Sequence, residues 1–205
     1  MGHIMASTSF PDLMTMLIGI GKVIPSIIML MQLVAMVTGT FITISGLIEV
    51  WGAGSENSAK YLSSQRSYSS GVGVMQIVLG GILLATGTLE FVGILSRTVT
   101  GDYAAARMTA DVLSYNPGQD SNTAEKAKAV TMALLALMQA VGFAAIYKGW
   151  LSLNSYVKQG SSAVSFGKCL TWIIGGIFAW NFKWVSDVVN NTVGFNFLSL
   201  FSSLK

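Results

Sequence analysis

The stretch from Val72 to Leu95 reads VGVMQIVLGGILLATGTLEFVGIL, and its one charged residue, Glu90, lies near its end. An α-helix needs about 20 such residues to cross the hydrocarbon layer of a bilayer. Three further runs share this character: Val23 to Val50, Ala129 to Leu153 and Leu170 to Trp184. The runs predict an all-α membrane protein with about four transmembrane helices.

Composition agrees. Of the 205 residues, 52% are hydrophobic and 10% charged. Soluble domains carry roughly 25% charged residues. The net charge of +3 is too small for a nucleic-acid footprint of its own. Cys169 is the single cysteine, which excludes an internal disulfide. It reads as a buried small residue, with a lipidated or reactive thiol as the alternative. Residues 1–10 carry no Lys or Arg and so lack the basic start of a secretory signal.

Outward from the second run, the segments divide as 1–22, 23–100, 101–125 and 126–205. In the first, Pro11 suits a first helical position, and Leu13, Met14, Leu17, Ile18 and Ile20 share a helical face. This predicts an N-terminal amphipathic helix, separated from the first run by a break at Pro25. The region 101–125 is a polar connecting loop, with a turn at Asn116-Pro117-Gly118 and a capping box at Asn122 and Glu125.

The halves on either side of that loop resemble one another. Each has an apolar helix with a glutamine, Gln32 or Gln139, then a short basic loop. Each then has a Gly-Gly-Ile triplet, Gly80-Gly81-Ile82 or Gly175-Gly176-Ile177. This suggests two helical hairpins, although chance similarity between glycine-containing apolar segments accounts for the same match. Small residues let membrane helices approach closely, so Ala35, Gly39, Gly80, Gly81, Gly175 and Gly176 are the candidate packing positions. Gln32 and Gln139 are candidates for polar contacts between helices.

Lys60, Arg66, Lys158 and Lys168 fall in the two short loops, against one acid, Glu56. Short basic loops stay cytoplasmic, which places both termini and the long loop on the other side of the membrane. The long loop also holds Arg107, Lys126 and Lys128, so the opposite orientation stays open. Glu49, Glu90, Lys148 and Lys183 sit near the ends of runs, as interfacial anchors or partners of neighbouring helices.

The sequence offers no catalytic constellation. It has one histidine, no Cys/His metal spacing and no phosphate loop. A transporter or channel would want ionisable residues at mid-span, where the chain offers mostly glutamines and threonines. The remaining reading is a structural subunit, with no enzymatic activity, no cofactor and no metal.

The carboxy-terminal half carries three longer stretches: LMQAVGF from Leu137, YKGWLSL from Tyr147 and SFGKCLTWIIGGIFAWN from Ser165. These resemble the IcmC/DotE family of type IVB secretion systems, together with the TraQ-like protein of IncI-type conjugation systems. Asp12 to Leu17, Ile24-Pro25 and Gln32-Leu33 agree more loosely. The resemblance implies a structural component of a conjugation or effector-delivery apparatus in a bacterial inner membrane. It implies either a pilin-like subunit, extracellular after assembly, or a part of the membrane complex. By analogy with conjugative pilins, Lys60, Arg66, Lys158 and Lys168 would line a lumen and meet phospholipid headgroups or single-stranded DNA in transit. The implied partners are copies of the chain, other type IVB secretion components and membrane lipid.

Overall fold

The computed structural model describes residues 13–54, 69–101, 123–162 and 164–193. Those residues form helices: α1 (Leu13–Gly54), α2 (Ser70–Gly87), α3 (Glu90–Thr100), α4 (Thr123–Gln159), α5 (Phe166–Trp180) and α6 (Phe182–Val193). A short 3-10 turn, Gly160–Ser162, follows α4. The expected turn at Asn116-Pro117-Gly118 and the capping box at Asn122 fall outside, or partly outside, the described residues.

Among the described residues three helices are long and apolar enough to cross a membrane, within Met16–Gly54, Ser70–Gly87 and Ala129–Ser162. The fourth apolar run is shorter than its hydropathy suggests. It gives α5, of 15 residues, which stops at Asn181. The Asn181 side chain bonds back to the Ile177 carbonyl at 2.9 Å, competing with the helical ladder there.

Among the described residues of the N-terminal segment, from Leu13, no separate helix is formed. α1 is continuous over 42 residues and runs straight through Pro25. Proline removes one backbone bond, but packing holds the surrounding turns. Ile24 and Ile28 are buried against Ala136 of α4, and Gly21 lies against Ala133.

The two halves follow one plan. Each has a long helix, a shorter apolar helix, a break and a short amphipathic helix: α1, α2 and α3, then α4, α5 and α6. The first break is at Thr88 and Leu89, where Leu89 adopts a left-handed backbone (φ 63°). That conformation costs a leucine roughly 1–2 kcal/mol. The second break is at Asn181.

α1 and α4 run parallel. Contacts ascend together along both, from Gly21 with Ala133, through Thr38 with Tyr147, to Ser45 with Lys158. The main core lies where the halves meet. It unites Ala35 of α1, Val92 of α3, Phe143 and Ile146 of α4, and Ile173, Ile177 and Trp180 of α5.

Candidate functional site

Two kinds of contact organise the helices, and each falls in a different place. Within each half the contact is backbone on backbone at glycine. A methyl group added to Gly39 of α1 would stand 2.8 Å from the Gly80 carbonyl oxygen of α2. Two turns further on, one added to Gly46 would stand 2.7 Å from the Gly73 carbonyl. The residue numbers rise along α1 as they fall along α2, so the pair is antiparallel. Gly87 extends the seam to the Gln32 carbonyl of α1.

The second half repeats this arrangement. Gly142 of α4 faces Gly176 of α5, and Gly149, two turns on, faces Ile173 and the Cys169 carbonyl. Cys169 thus stands where the first half has Gly73. Its thiol is fully buried and lies 3.5 Å from the Ser165 carbonyl. Such close approach adds weak Cα–H···O contacts to dispersion, the chief source of helix attraction inside lipid.

Between the halves, polar side chains bridge beside the apolar core, from buried to exposed positions. The Thr38 and Tyr147 hydroxyls lie 2.9 Å apart. Gln76 Nε2 donates to Asn154 Oδ1 at 3.4 Å. The Ser96 hydroxyl donates to Asn181 Oδ1 at 2.5 Å. Lys158 Nζ reaches Ser45 Oγ at 3.5 Å. Glycine seams thus hold each half together, and hydrogen bonds set the register between halves. Among the described residues, three buried polar atoms, Gln76 Oε1 and the Trp150 and Trp180 indole nitrogens, have no hydrogen-bond partner.

The expected packing residues separate into two groups. Gly39, Gly80 and Gly176 lie in the seams. Gly81 and Gly175 are exposed, with nothing within 4 Å of an added methyl. The two Gly-Gly-Ile triplets therefore do not correspond in register, since the first glycine of one matches the second of the other. Ala35 is fully buried, but in the core between halves rather than in the seam that Gly39 joins. One helical turn rotates the two onto different neighbours.

Gln139 is buried in α4, and half-buried Gln32 contributes its main-chain carbonyl to the seam. Sequence reasoning passed over Gln76, Asn154, Ser96, Asn181 and Tyr147. Gln76 lies inside the second run, four residues from its start, as Gln32 and Gln139 lie inside theirs. Lys60 and Arg66 lie outside the described residues. Lys158 and Lys168 are exposed at the end where α4 hands over to α5.

The charges near run ends are differently placed. Glu49 is buried and accepts the Ser69 backbone N–H at 3.4 Å. Lys148 is exposed and lies 4.2 Å over the ring of Trp172, midway along α5. Lys183 is half-buried and Glu90 exposed. No group of three or more His, Cys, Asp or Glu able to hold a metal ion occurs among the described residues.

No protein-family model, curated protein or solved structure matches the chain.

Proposed function

We propose that the chain is a structural, non-enzymatic membrane subunit of a type IVB, IncI-like conjugation or secretion apparatus, and that it polymerises as a pilin-like subunit. In this reading α1 with α2 and α4 with α5 are two hairpins, and α5 completes a set of four membrane passes with help from α6. The bacterial inner membrane is its site of insertion.

The observation that carries the reading is the wide apolar surface left over once the seams and bridges are made. α1 alone exposes Met16, Ile20, Leu33, Phe41, Ile44 and Trp51 along most of its length. Its 42 residues extend roughly 63 Å, about twice a hydrocarbon layer. Lipid alone covers such a surface only over the thickness of the bilayer. Copies of the chain would cover the rest. The sequence resemblance of α4 and α5 to the IcmC/DotE family supplies the machine. The parallel course of α1 and α4 supports placing both short basic loops at one end, where Lys60, Arg66, Lys158 and Lys168 would meet lipid phosphate or passing single-stranded DNA.

A second reading is an inner-membrane component that never leaves the envelope. It is favoured by α2, whose 18 residues extend roughly 27 Å and match one hydrocarbon layer. Mass spectrometry of sheared extracellular filaments, examined beside electron micrographs, separates the two. The pilin reading expects this chain as the bulk protein of the filament. Recovery from the envelope fraction alone would remove it.

A further inference from the structure

The shared plan of the two halves fixes which positions correspond. Gly39 and Gly46 hold in α1 the seam positions that Gly142 and Gly149 hold in α4. Gly80 and Gly73 of α2 correspond likewise to Gly176 and Cys169 of α5. Under this correspondence the contact between the halves is one-sided. α1 contributes Thr38 and α4 contributes Tyr147. The counterpart of Thr38 in α4 is Val141, and the counterpart of Tyr147 in α1 is Ile44. A two-fold contact would bring those two together as well. They are instead exposed, at 52% and 47%. Each half therefore buries one flank and leaves open the flank its sister has buried.

A head-to-tail contact between like units continues with the next unit, because the open flanks are the same pair over again. We infer that a second copy of this chain docks head to tail, laying the Val37–Ile44–Trp51 flank of its α1 onto the Val141 flank of α4 and the Trp172 flank of α5. This takes from the proposed function only that copies associate, and names the surfaces by which they do so.

Residue types at corresponding positions support this occupant. Inside the chain the bridging pairs are polar: Thr38 with Tyr147, and Gln76 with Asn154. Their counterparts across the open flanks are Val141 with Ile44, and Trp172 with Trp51. Both members of these two pairs have become apolar or aromatic together, while the third bridge, Ser45 with Lys158, has Lys148 as the counterpart of Ser45, an exposed cation on the open flank that lies over the Trp172 ring. Val141, Ile44, Trp172 and Trp51 are all exposed. Gly175, the counterpart of buried Leu79, is open as well. The flank closes at its far end, where Thr131, the counterpart of Ile28, is buried. A different sector, holding Val78 in α2 and its counterpart Ile174 in α5, is open in both halves alike. That sector is the surface turned to lipid.

Cysteine pairs in the full chain, oxidised in the membranes of producing cells, test the inference. With Cys169→Ser as background, Ile44→Cys combined with Val141→Cys should give a ladder of disulfide-linked trimers and longer species. Trp51→Cys combined with Trp172→Cys should do the same. Each single variant should stop at the dimer. Absence of linked species from both pairs, or linkage ending at dimers, would overturn the inference. So would an equal ladder from Val78→Cys with Ile174→Cys. Filaments built of this chain but giving no ladder would remove this interface and leave the pilin reading standing. A ladder from a chain found in neither filaments nor a secretion complex would do the reverse.

Discussion

Gly142 and Gly176 shield each other's backbone. A methyl on either would stand 2.7 Å from the carbonyl oxygen of the other, closer than real side chains come. Gly39 and Gly80 repeat this relationship at 2.8 Å in both directions. Gly46 and Gly73 do the same at 2.7 and 2.8 Å, and these pairs make the glycines of this chain unequal.

Gly80→Ala and Gly176→Ala should each destabilise the protein by about 1–3 kcal/mol, because backbone must move to admit the methyl. Gly81→Ala and Gly175→Ala face open space and should be neutral, or stabilising by about 0.5–1 kcal/mol through helix propensity. Thermal unfolding in detergent measures all four. Equal losses at all four positions would contradict the seam.

Ser96→Ala removes the hydroxyl that holds Asn181 Oδ1 in a buried site. The stranded acceptor should cost about 1–3 kcal/mol. A double-mutant cycle with Asn181→Leu should give a coupling of about 0.6–1.7 kcal/mol, the range for such bonds within membranes. A coupling of zero would mean the bond does not join the halves.

Cys169 should resist maleimide in the folded protein and react once the protein is opened with dodecyl sulfate, because its thiol is fully buried in the second seam. Cys169→Leu should lower the unfolding temperature by overfilling that seam. Rapid labelling of the native protein would place the thiol elsewhere.

Pro25→Ala should leave α1 intact and raise the unfolding temperature, since it restores a backbone donor within a continuous helix. Hydrogen exchange across Gly21 to Met29 should slow. A hinge at Pro25 would show the opposite pattern, with lost activity in assembly and unchanged stability.

The all-helical class and the rough position of every long helix were legible, because apolar length is a property of the chain alone. The limits of α1 were not. Pro25 is a breaker by local rules, and the packing of its neighbours Gly21, Ile24 and Ile28 against Ala133 and Ala136 overrides them. Gly81 and Gly175 look the same as Gly80 and Gly176 in sequence; which of two adjacent glycines faces inward depends on the rotation of a helix against its partner. The repeat was visible as a composition, but its register was misread by one residue for this reason. Ala35 and Gly39 were paired by their spacing, whereas the seam follows Gly39 and Gly46. Gln76 is, like Gln139, a glutamine inside an apolar run, but its place near the start of that run made it less conspicuous. Asn181 hid beside the more conspicuous Gly-Gly-Ile-Phe motif.

The parallel course of α1 and α4 has a consequence for biogenesis. An inverted duplication would set its two halves against each other, because each would ask the insertion machinery for the opposite sidedness. In the proposed membrane arrangement both halves would ask for the same one, so their loop charges would reinforce a single decision. Neutralising Lys158 and Lys168 alone would leave Lys60 and Arg66 still voting for it.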